Sequence, residues 1–406
     1  MPTELLTAGQ PSRAARLVDR HSRSVLFSQL DKILHGEIIV EEPGLSRSFG
    51  RPGWLRARVA VEDPAFYRLT ALGGTLGAAE SYLDGHWNCA DLTALCRILV
   101  RNADVMDQIE GAVARVAAAA ARRLFRSRRN TVEGARRNIH DHYDLGNDFF
   151  ELFLDDTMTY SCGVFESPEA SLRDASIAKI DRLCRKLRLT PSDHLLEIGT
   201  GWGAFAIHAA SRYGCRVTST TISSRQLDWA RRAVSEAGLA DRVTLLHEDY
   251  RNLRGQYDKL VSVEMIEAVG REYLKTYFET CRRLLKPAGL FALQGIFLAE
   301  HRYEQYCRQV DFIQRYVFPG SFIPSRGAVA RAAANLFTLL HEEDITPHYA
   351  ETLRRWRHAF HANAAAVRKL GYPERFLRLW HFYFCYCEAA FEERNCMNFQ
   401  LLLAAS

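Results

Sequence analysis

The chain has 406 residues, of which 48% are hydrophobic and 25% are charged, and its formal net charge is +5. This is the composition of a globular protein of about two to three domains, and it excludes collagen-like, coiled-coil and globally disordered chains. The most apolar window, residues 112–121, is interrupted by Arg115 and is shorter than the ~20 residues that span a bilayer. No basic segment followed by a hydrophobic run begins the sequence, so we predict no secretory signal.

The first third of the sequence predicts a flexible leader and a small domain. Residues 1–22 are polar, and we expect them to be flexible. Residues 23–130 combine two β-like runs, 37–40 and 55–61, with several segments that have helical spacing of apolar residues. We therefore predict a mostly helical domain that ends in a basic linker.

The basic linker is the most asymmetric feature of the charge distribution. Between Arg115 and Arg137 there are eight arginines and one acidic residue, Glu133. Such an excess favours contact with an anionic surface, either phospholipid head groups or nucleic acid. The alternative is a solvated helix face with no partner.

From residue 131 onward, apolar runs alternate with helical patterns. We predict strands at 195–198, 215–221, 243–247, 257–263 and 290–296. Helices between such strands are typical of a parallel, doubly wound α/β sheet. From about residue 351 the sequence is rich in aromatic residues at helical spacing, and we predict helix for this C-terminal part.

A glycine-rich turn follows the first of these strands. Glu197 precedes Gly199, Gly201 and Gly203, and a helical pattern begins directly after them. Glycines at such a bend let the backbone approach a ligand closely, although a purely structural turn is the alternative. The acid two positions before the first glycine resembles the S-adenosylmethionine site of Rossmann-like methyltransferases, where its carboxylate can face the ammonium side of the ligand.

Six longer motifs carry a more specific resemblance. They lie at residues 142–150, 156–162, 263–270, 318–320, 323–325 and 348–353. In this order they resemble the cyclopropane fatty acid synthase family, over about residues 24–399. The resemblance implies a Rossmann-like class I methyltransferase sheet in residues 131–406, with a substrate-covering helical insertion at about 300–350, plus the smaller N-terminal domain.

The resemblance also implies residues that contact S-adenosylmethionine. Besides the turn and Glu197, these residues are Tyr160, Ser161, Thr221, Gln226, Asp249 and Tyr250. Thr221 and Gln226 would lie near the ribose, and Asp249 or Tyr250 near the adenine. Thr221 could instead cap the following helix, and Asp249 could be a loop carboxylate that faces solvent.

For the chemistry, the resemblance implies a bound bicarbonate ion that acts as the base. The positions that match its site are Cys162, Glu267, Gln294, Ile296 and Tyr349. Backbone N–H groups and the tyrosine hydroxyl would donate to the anion, and Glu267 would accept its proton. Gln294 stands where the family usually has a histidine, and an amide can donate a hydrogen bond but cannot carry a proton.

Aromatic residues could face a carbocation intermediate, although they are also common in cores. The candidates are Tyr316, Phe318, Trp380 and Tyr383. We expect no metal site, because Cys385 and Cys387 point apart on a helix.

The resemblance therefore implies cyclopropanation of unsaturated phospholipid acyl chains. The alternatives are a methyl-branched or methylene lipid, N-methylation of a small molecule, and lipid binding without catalysis. The expected partners are the membrane surface, the acyl chain substrate and a second copy in a homodimer, with no nucleic acid. We expect the protein in the cytoplasm, peripherally bound to the inner face of the membrane.

Overall fold

The computed structural model describes residues 13–105, 130–131, 134–135 and 145–406. The chain divides into two compact units, Met1–Ala120 and Ala121–Ser406. The arginines between positions 115 and 137 lie outside the described residues, as do residues 142–144 of the first motif. The prediction of an anionic partner for these arginines therefore stays a prediction.

The N-terminal unit combines helices with a small sheet. Its elements are α1 (Arg13–Leu30), β1 (Glu37–Glu42), β2 (Leu45–Gly50), β3 (Arg56–Val61), α2 (Ala65–Leu83), β4 (Trp87–Cys89) and α3 (Leu92–Arg101). The strands are ordered β2-β1-β3-β4, with β1 parallel to β3.

Helix α1 begins within the predicted leader, so the expectation of a flexible segment through residue 22 was wrong for residues 13–22. Leu26, Phe27 and Leu30 at the C-terminal end of α1 are buried, and this burial stabilises the helix.

The C-terminal unit contains most of the structure. Its helices are α4 (Asn147–Phe150), α5 (Leu172–Leu187), α6 (Ala204–Tyr213), α7 (Ser224–Glu236), α8 (Leu274–Leu284), α9 (Glu300–Tyr306), α10 (Phe312–Tyr316), α11 (Arg326–Ala333), α12 (Thr346–Ala362), α13 (Ala364–Lys369) and α14 (Glu374–Glu392). Its strands are β5 (His194–Ile198), β6 (Arg216–Thr221), β7 (Val243–His247), β8 (Tyr257–Val263), β9 (Leu285–Leu298), β10 (Phe337–Asp344) and β11 (Cys396–Ala405).

These strands form one seven-stranded sheet, ordered β10-β11-β9-β8-β5-β6-β7. Strands β5 to β9 pair in parallel, whereas β11 is antiparallel to both β9 and β10. All five predicted strands are present, and the predicted α/β fold is confirmed. The chain leaves β5 toward β6 and later returns to its other side with β8, so the strand order reverses at β5. Ligands bind at such a point, outside the carboxyl ends of the strands.

The C-terminal part differs from its prediction. Helices α12 to α14 are present, but β11 follows them where we predicted helix, and β10 lies inside the predicted insertion. Most residues of β11 are buried between its neighbours. A strand buried on both faces lacks the alternation of apolar and polar residues that identifies a strand in a sequence.

No helix within the described ranges is long and apolar enough to cross a membrane.

Candidate active site

The glycine turn after β5 has a backbone that only glycine adopts readily. Gly199, Gly201 and Gly203 have φ angles of 104°, 52° and 100°. A Cβ atom on Gly201 would have no heavy atom of the described residues within 4 Å, apart from its chain neighbours. The N–H groups of Gly199 and Thr200 donate to the Thr220 carbonyl at 3.0 and 3.1 Å, which fixes the turn against β6. The turn therefore leaves open space beside Gly201.

Glu197 lies at the base of this turn and is buried. The Ser219 hydroxyl donates to its Oε2 at 2.5 Å. Burial raises the pKa of Glu197 to about 8, against the opposing effects of the Ser219 hydrogen bond and the Lys179 charge. At neutral pH the carboxyl is thus mostly protonated, and a cationic ligand beside it would favour its charged form.

Tyr160 and Ser161 are held by side chains from distant parts of the sequence. The Tyr160 hydroxyl lies 3.1 Å from that of Tyr383, and its ring centroid lies 6.2 Å from Phe318. The buried Lys179 ammonium donates to the Ser161 hydroxyl at 2.8 Å. Burial lowers the pKa of Lys179, while nearby carboxylates oppose that shift. Lys179 was not predicted as a site residue, because a lysine inside an amphipathic helix is usually exposed.

Thr221 and Gln226 lie together as predicted. The Thr221 hydroxyl donates to the Gln226 side-chain oxygen at 3.1 Å, and both residues are buried. Helix α7 is instead capped by Ser223, whose hydroxyl accepts from the Gln226 N–H. The alternative that Thr221 serves only as the helix cap is therefore wrong.

Asp249 and Tyr250 follow β7 and are also buried. Arg251 donates to the Asp249 carboxylate from Nε at 2.8 Å and from Nη2 at 2.7 Å. The alternative of a solvent-facing carboxylate is thus wrong. Burial raises the pKa of Tyr250 above its ordinary value, so its hydroxyl stays protonated. Contact of either residue with adenine stays a prediction.

A second cluster surrounds Glu264, which follows β8. The Glu264 Oε1 atom accepts hydrogen bonds from the Cys162 N–H at 3.0 Å, Gln294 Nε2 at 2.9 Å and Asn398 Nδ2 at 2.7 Å. Its Oε2 atom accepts from the Tyr349 hydroxyl at 2.6 Å. Four hydrogen-bond donors thus converge on one carboxyl group.

Glu267 lies three residues after Glu264, and its carboxyl group has different hydrogen-bond partners. Its Oε1 atom accepts from the Ile296 N–H. Its Oε2 atom is buried and has no hydrogen-bond partner among the described residues. Burial, together with the charge of Glu264, raises the pKa of Glu267 to about 8. The Glu267 carboxyl is therefore mostly protonated at neutral pH.

These contacts change the predicted anion site. We expected Tyr349 and Glu267 to meet across a bicarbonate ion, but the Tyr349 hydroxyl donates to Glu264 instead. The Cys162 N–H and the Gln294 amide also donate to Glu264, and the Ile296 N–H donates to Glu267. Because the donors that the resemblance assigned to bicarbonate already serve protein carboxylates, these residues do not fit a free bicarbonate ion.

The sequence analysis missed two members of this cluster. Glu264 lies in the motif at residues 263–270, three residues before Glu267. Its position directly after a predicted strand could have identified it as a site residue. Asn398 lies on β11, which we predicted as helix, so no signal placed it near β8.

The Cys162 side chain has no role as a nucleophile. The residue is completely buried, and burial raises the pKa of its thiol well above the ordinary value. The thiol therefore stays protonated, and it is the backbone N–H of Cys162 that serves the cluster.

The aromatic candidates divide into two groups. Phe318 and Tyr383 contact Tyr160, and their rings lie 6.0 Å apart. Trp380 is in the core, 4.7 Å from Phe149, and Tyr316 lies beside arginine side chains. Only Phe318 and Tyr383 are thus brought to the predicted cofactor side. Over the described parts of the chain, no group of three or more potential metal ligands occurs.

A parallel sheet with an open glycine turn at its point of reversal, preceded by a buried acid, is the arrangement of class I S-adenosylmethionine-dependent methyltransferases. The chain is an enzyme of this class, and solved structures agree. The cyclopropane synthase MmaA2 of Mycobacterium tuberculosis superposes with a TM-score of 0.62 at 30% identity, over 66% of this chain and 98% of that one. The mycolic acid cyclopropane synthase CmaA1 complexed with SAH and CTAB gives a TM-score of 0.63 at 31% identity, over 67% and 98%.

Sequence comparison identifies the family. The model of the mycolic acid cyclopropane synthetase family matches residues 130–401, and the chain belongs to this family. It is 38% identical to the tuberculostearic acid methyltransferase UfaA1 of M. tuberculosis, over 78% of this chain and 76% of the relative. It is 34% identical to the cyclopropane-fatty-acyl-phospholipid synthase of Escherichia coli K12, over 86% and 88%.

Proposed function

We propose that the enzyme methylates the cis double bond of unsaturated phospholipid acyl chains and closes a cyclopropane ring. The observation that carries this proposal is the pair of partly buried carboxyl groups, Glu264 and Glu267, at the carboxyl end of β8. The name of the E. coli relative supports the substrate class.

The pair fits what the reaction requires. Bound S-adenosylmethionine supplies an electrophilic methyl carbon, and attack by the alkene leaves a positive charge on the acyl chain. A C–H bond of the added methyl must then break, so that its electron pair closes the ring and its proton moves to a base. A buried carboxylate can stabilise the cation and accept that proton in a site without water.

The aromatic group around Tyr160 fits the same intermediate. Tyr160 is two residues before Cys162, whose N–H contacts Glu264. The faces of Tyr160 and Phe318 can stabilise a nearby cation without reacting with it. Lys179 donates a hydrogen bond to Ser161 and would thereby hold the segment from Tyr160 to Cys162 in position.

A second product has a specific observation in its favour. The resemblance implied a bicarbonate base, whereas a glutamate side chain takes those donors here. A base in a different position could remove a different proton from the same cation, which would give a methylene chain or a methyl-branched chain that keeps a double bond. The relative UfaA1 is named a methyltransferase for tuberculostearic acid.

The test is expression in a host that lacks the activity, followed by mass analysis of its phospholipids. A gain of one CH₂ unit with loss of the double bond supports the ring. The same gain with a retained alkene supports the second product. Phospholipids without any added carbon contradict both products.

For the N-terminal unit we propose docking on the membrane surface. Trp54 is 72% exposed, and the guanidinium groups of Arg97 and Arg101 lie 5.0 and 4.9 Å from its ring. Tryptophan beside cationic side chains suits the interface between head groups and acyl chains.

A further inference from the structure

We propose that the Glu264 carboxylate replaces the bound anion of the site and is its proton acceptor. This inference rests on the proposed methylation of a double bond, and it names the residue that completes that reaction. In the step, a C–H bond of the cationic acyl chain breaks, its electron pair forms the carbon–carbon bond that closes the ring, and the proton moves to Glu264 Oε2.

The hydrogen-bond geometry identifies Glu264 as the charged member of the pair. Every contact around it comes from a donor: two side-chain amides, one backbone N–H and one hydroxyl. A proton on Oε1 would face three of these donors. The arrangement therefore suits an ionised carboxylate.

The two oxygen atoms of Glu264 differ in their remaining capacity. Three donors surround Oε1, whereas among the described residues Oε2 accepts only from the Tyr349 hydroxyl. A carboxylate oxygen can accept two hydrogen bonds. Oε2 thus has the free lone pair that a proton acceptor needs.

Glu264 also has an unusual backbone conformation. Its φ angle is +48°, in the left-handed region that non-glycine residues rarely adopt. Such conformations persist where the surrounding structure requires them, and they cluster at active sites. A glycine would adopt this backbone conformation without strain. A glutamate at this strained position indicates that its side chain is needed there.

The charged and titratable groups around Glu264 fit this role. Lys179 is buried and its positive charge is coupled to Glu264, while Glu267 is mostly neutral at neutral pH. Burial and the charge of Glu264 raise the pKa values of Tyr349 and Cys162 far above neutral pH. Among these groups, Glu264 is the one on which four hydrogen-bond donors converge.

The consequence is that the enzyme works without bicarbonate. The experiment uses the full-length protein, S-adenosylmethionine and vesicles of dioleoyl phosphatidylglycerol in carbonate-depleted buffer. Wild-type turnover should change less than about twofold when bicarbonate is added. Glu264→Gln keeps the shape of the side chain but cannot hold the charge, and it should lose ~10²–10⁴-fold in turnover. Bicarbonate should not restore it, because the amide still fills the site.

Glu264→Gly is the complementary variant. It relaxes the backbone and opens the space of the carboxylate while leaving the donors in place. Its turnover should also fall ~10²–10⁴-fold, and saturating bicarbonate or formate should restore at least about a tenth of the wild-type rate. NMR with ¹³C-labelled bicarbonate adds a readout besides activity, with binding expected for Glu264→Gly and not for wild type.

Three results would overturn the inference. They are full turnover in Glu264→Gln, a loss of tenfold or more in wild type on carbonate depletion, and no rescue of a folded Glu264→Gly. Thermal melting and S-adenosylmethionine affinity establish that each variant is folded. If Glu264→Gln does not fold, two measurements still test the inference. They are wild-type turnover after carbonate depletion and the rescue of Glu264→Gly by bicarbonate or formate. Wild type that adds no carbon to the lipid would overturn the proposed function as well, whereas an active wild type with an active Glu264→Gln overturns only the role of Glu264.

Discussion

The Tyr349 hydroxyl donates to Glu264 Oε2 at 2.6 Å, and the Tyr349 ring stacks on Phe391 with a centroid distance of 4.3 Å. The ring contact fixes the direction of the hydroxyl, so the hydrogen bond forms without further ordering. A hydrogen bond to a charged group is stronger than one between neutral groups. Tyr349 therefore positions the Glu264 oxygen that has a free lone pair.

We expect Tyr349→Phe to reduce turnover by about 10- to 100-fold, because a hydrogen bond to a charged group contributes about 1.5–3 kcal/mol. The affinity for S-adenosylmethionine should change little. The measurement is kcat and the cofactor dissociation constant in the same preparation. Tyr213→Phe is the matched control, since its hydroxyl donates to the Asp181 carboxylate at 2.8 Å on the outer side of α5 and α6. The control should lose stability and keep its turnover, and an equal loss of turnover in both variants would contradict the positioning role.

Gly201→Val should abolish binding of S-adenosylmethionine. The new side chain would enter the open space beside the turn, where no described atom lies within 4 Å. Because Gly201 has a φ of 52°, the variant also strains the backbone. Gly238→Val reproduces that strain, since Gly238 has a φ of 67° and equally open surroundings. Isothermal titration should show lost binding for the first variant and normal binding for the second. Equal affinity in a folded Gly201→Val would exclude this turn as the cofactor site.

The stability of the protein should fall as pH rises through neutrality. The pKa of Glu267 is raised from 4.5 to about 8 in the folded state. Between these values the folded protein holds a proton that the unfolded chain has lost, so the free energy of unfolding decreases with rising pH. One such group contributes at most about 1.4 kcal/mol per pH unit.

The test of this pH dependence is urea unfolding between pH 5 and 9. Glu267→Gln removes the titrating group and should flatten the curve over that window. Glu197 has a pKa raised to the same value and should supply a remaining slope. An identical curve for wild type and Glu267→Gln would contradict the burial-induced shift at this position.

Trp54→Ala should weaken binding to vesicles that contain anionic phospholipid, by about threefold or more in a flotation assay. The exposed ring would lose its insertion between head groups, and binding should also weaken with added salt because the nearby arginines act through charge. Trp229→Ala serves as the control, since Trp229 also packs on an arginine, with Arg232 at 5.5 Å, but lies in the catalytic unit. Equal effects of the two variants would argue against docking through the N-terminal unit.

The sequence predicts the cofactor half of the site better than the carboxylate half. Strand β5 and its glycine turn are adjacent in the chain, so a short apolar run followed by glycines is sufficient to locate them. The cluster at Glu264 instead combines residues 134 positions apart, such as Asn398 and Glu264. Which donor reaches which carboxylate depends on side-chain packing across strands, and local periodicity carries no information about it. The same reason explains why Tyr349 was predicted to face Glu267.

Strand β11 lies between β9 and β10, and β10 has β11 as its sheet neighbour. During synthesis, β9 and β10 are therefore made before the strand that joins them. Until then the edge of β9 is unpaired, and an unpaired edge can associate with other chains. The pairing of Asn398 with Ile296 also closes a loop of about one hundred residues, which is slow compared with local contacts. The nascent enzyme thus completes its sheet and its carboxylate cluster in the same late event.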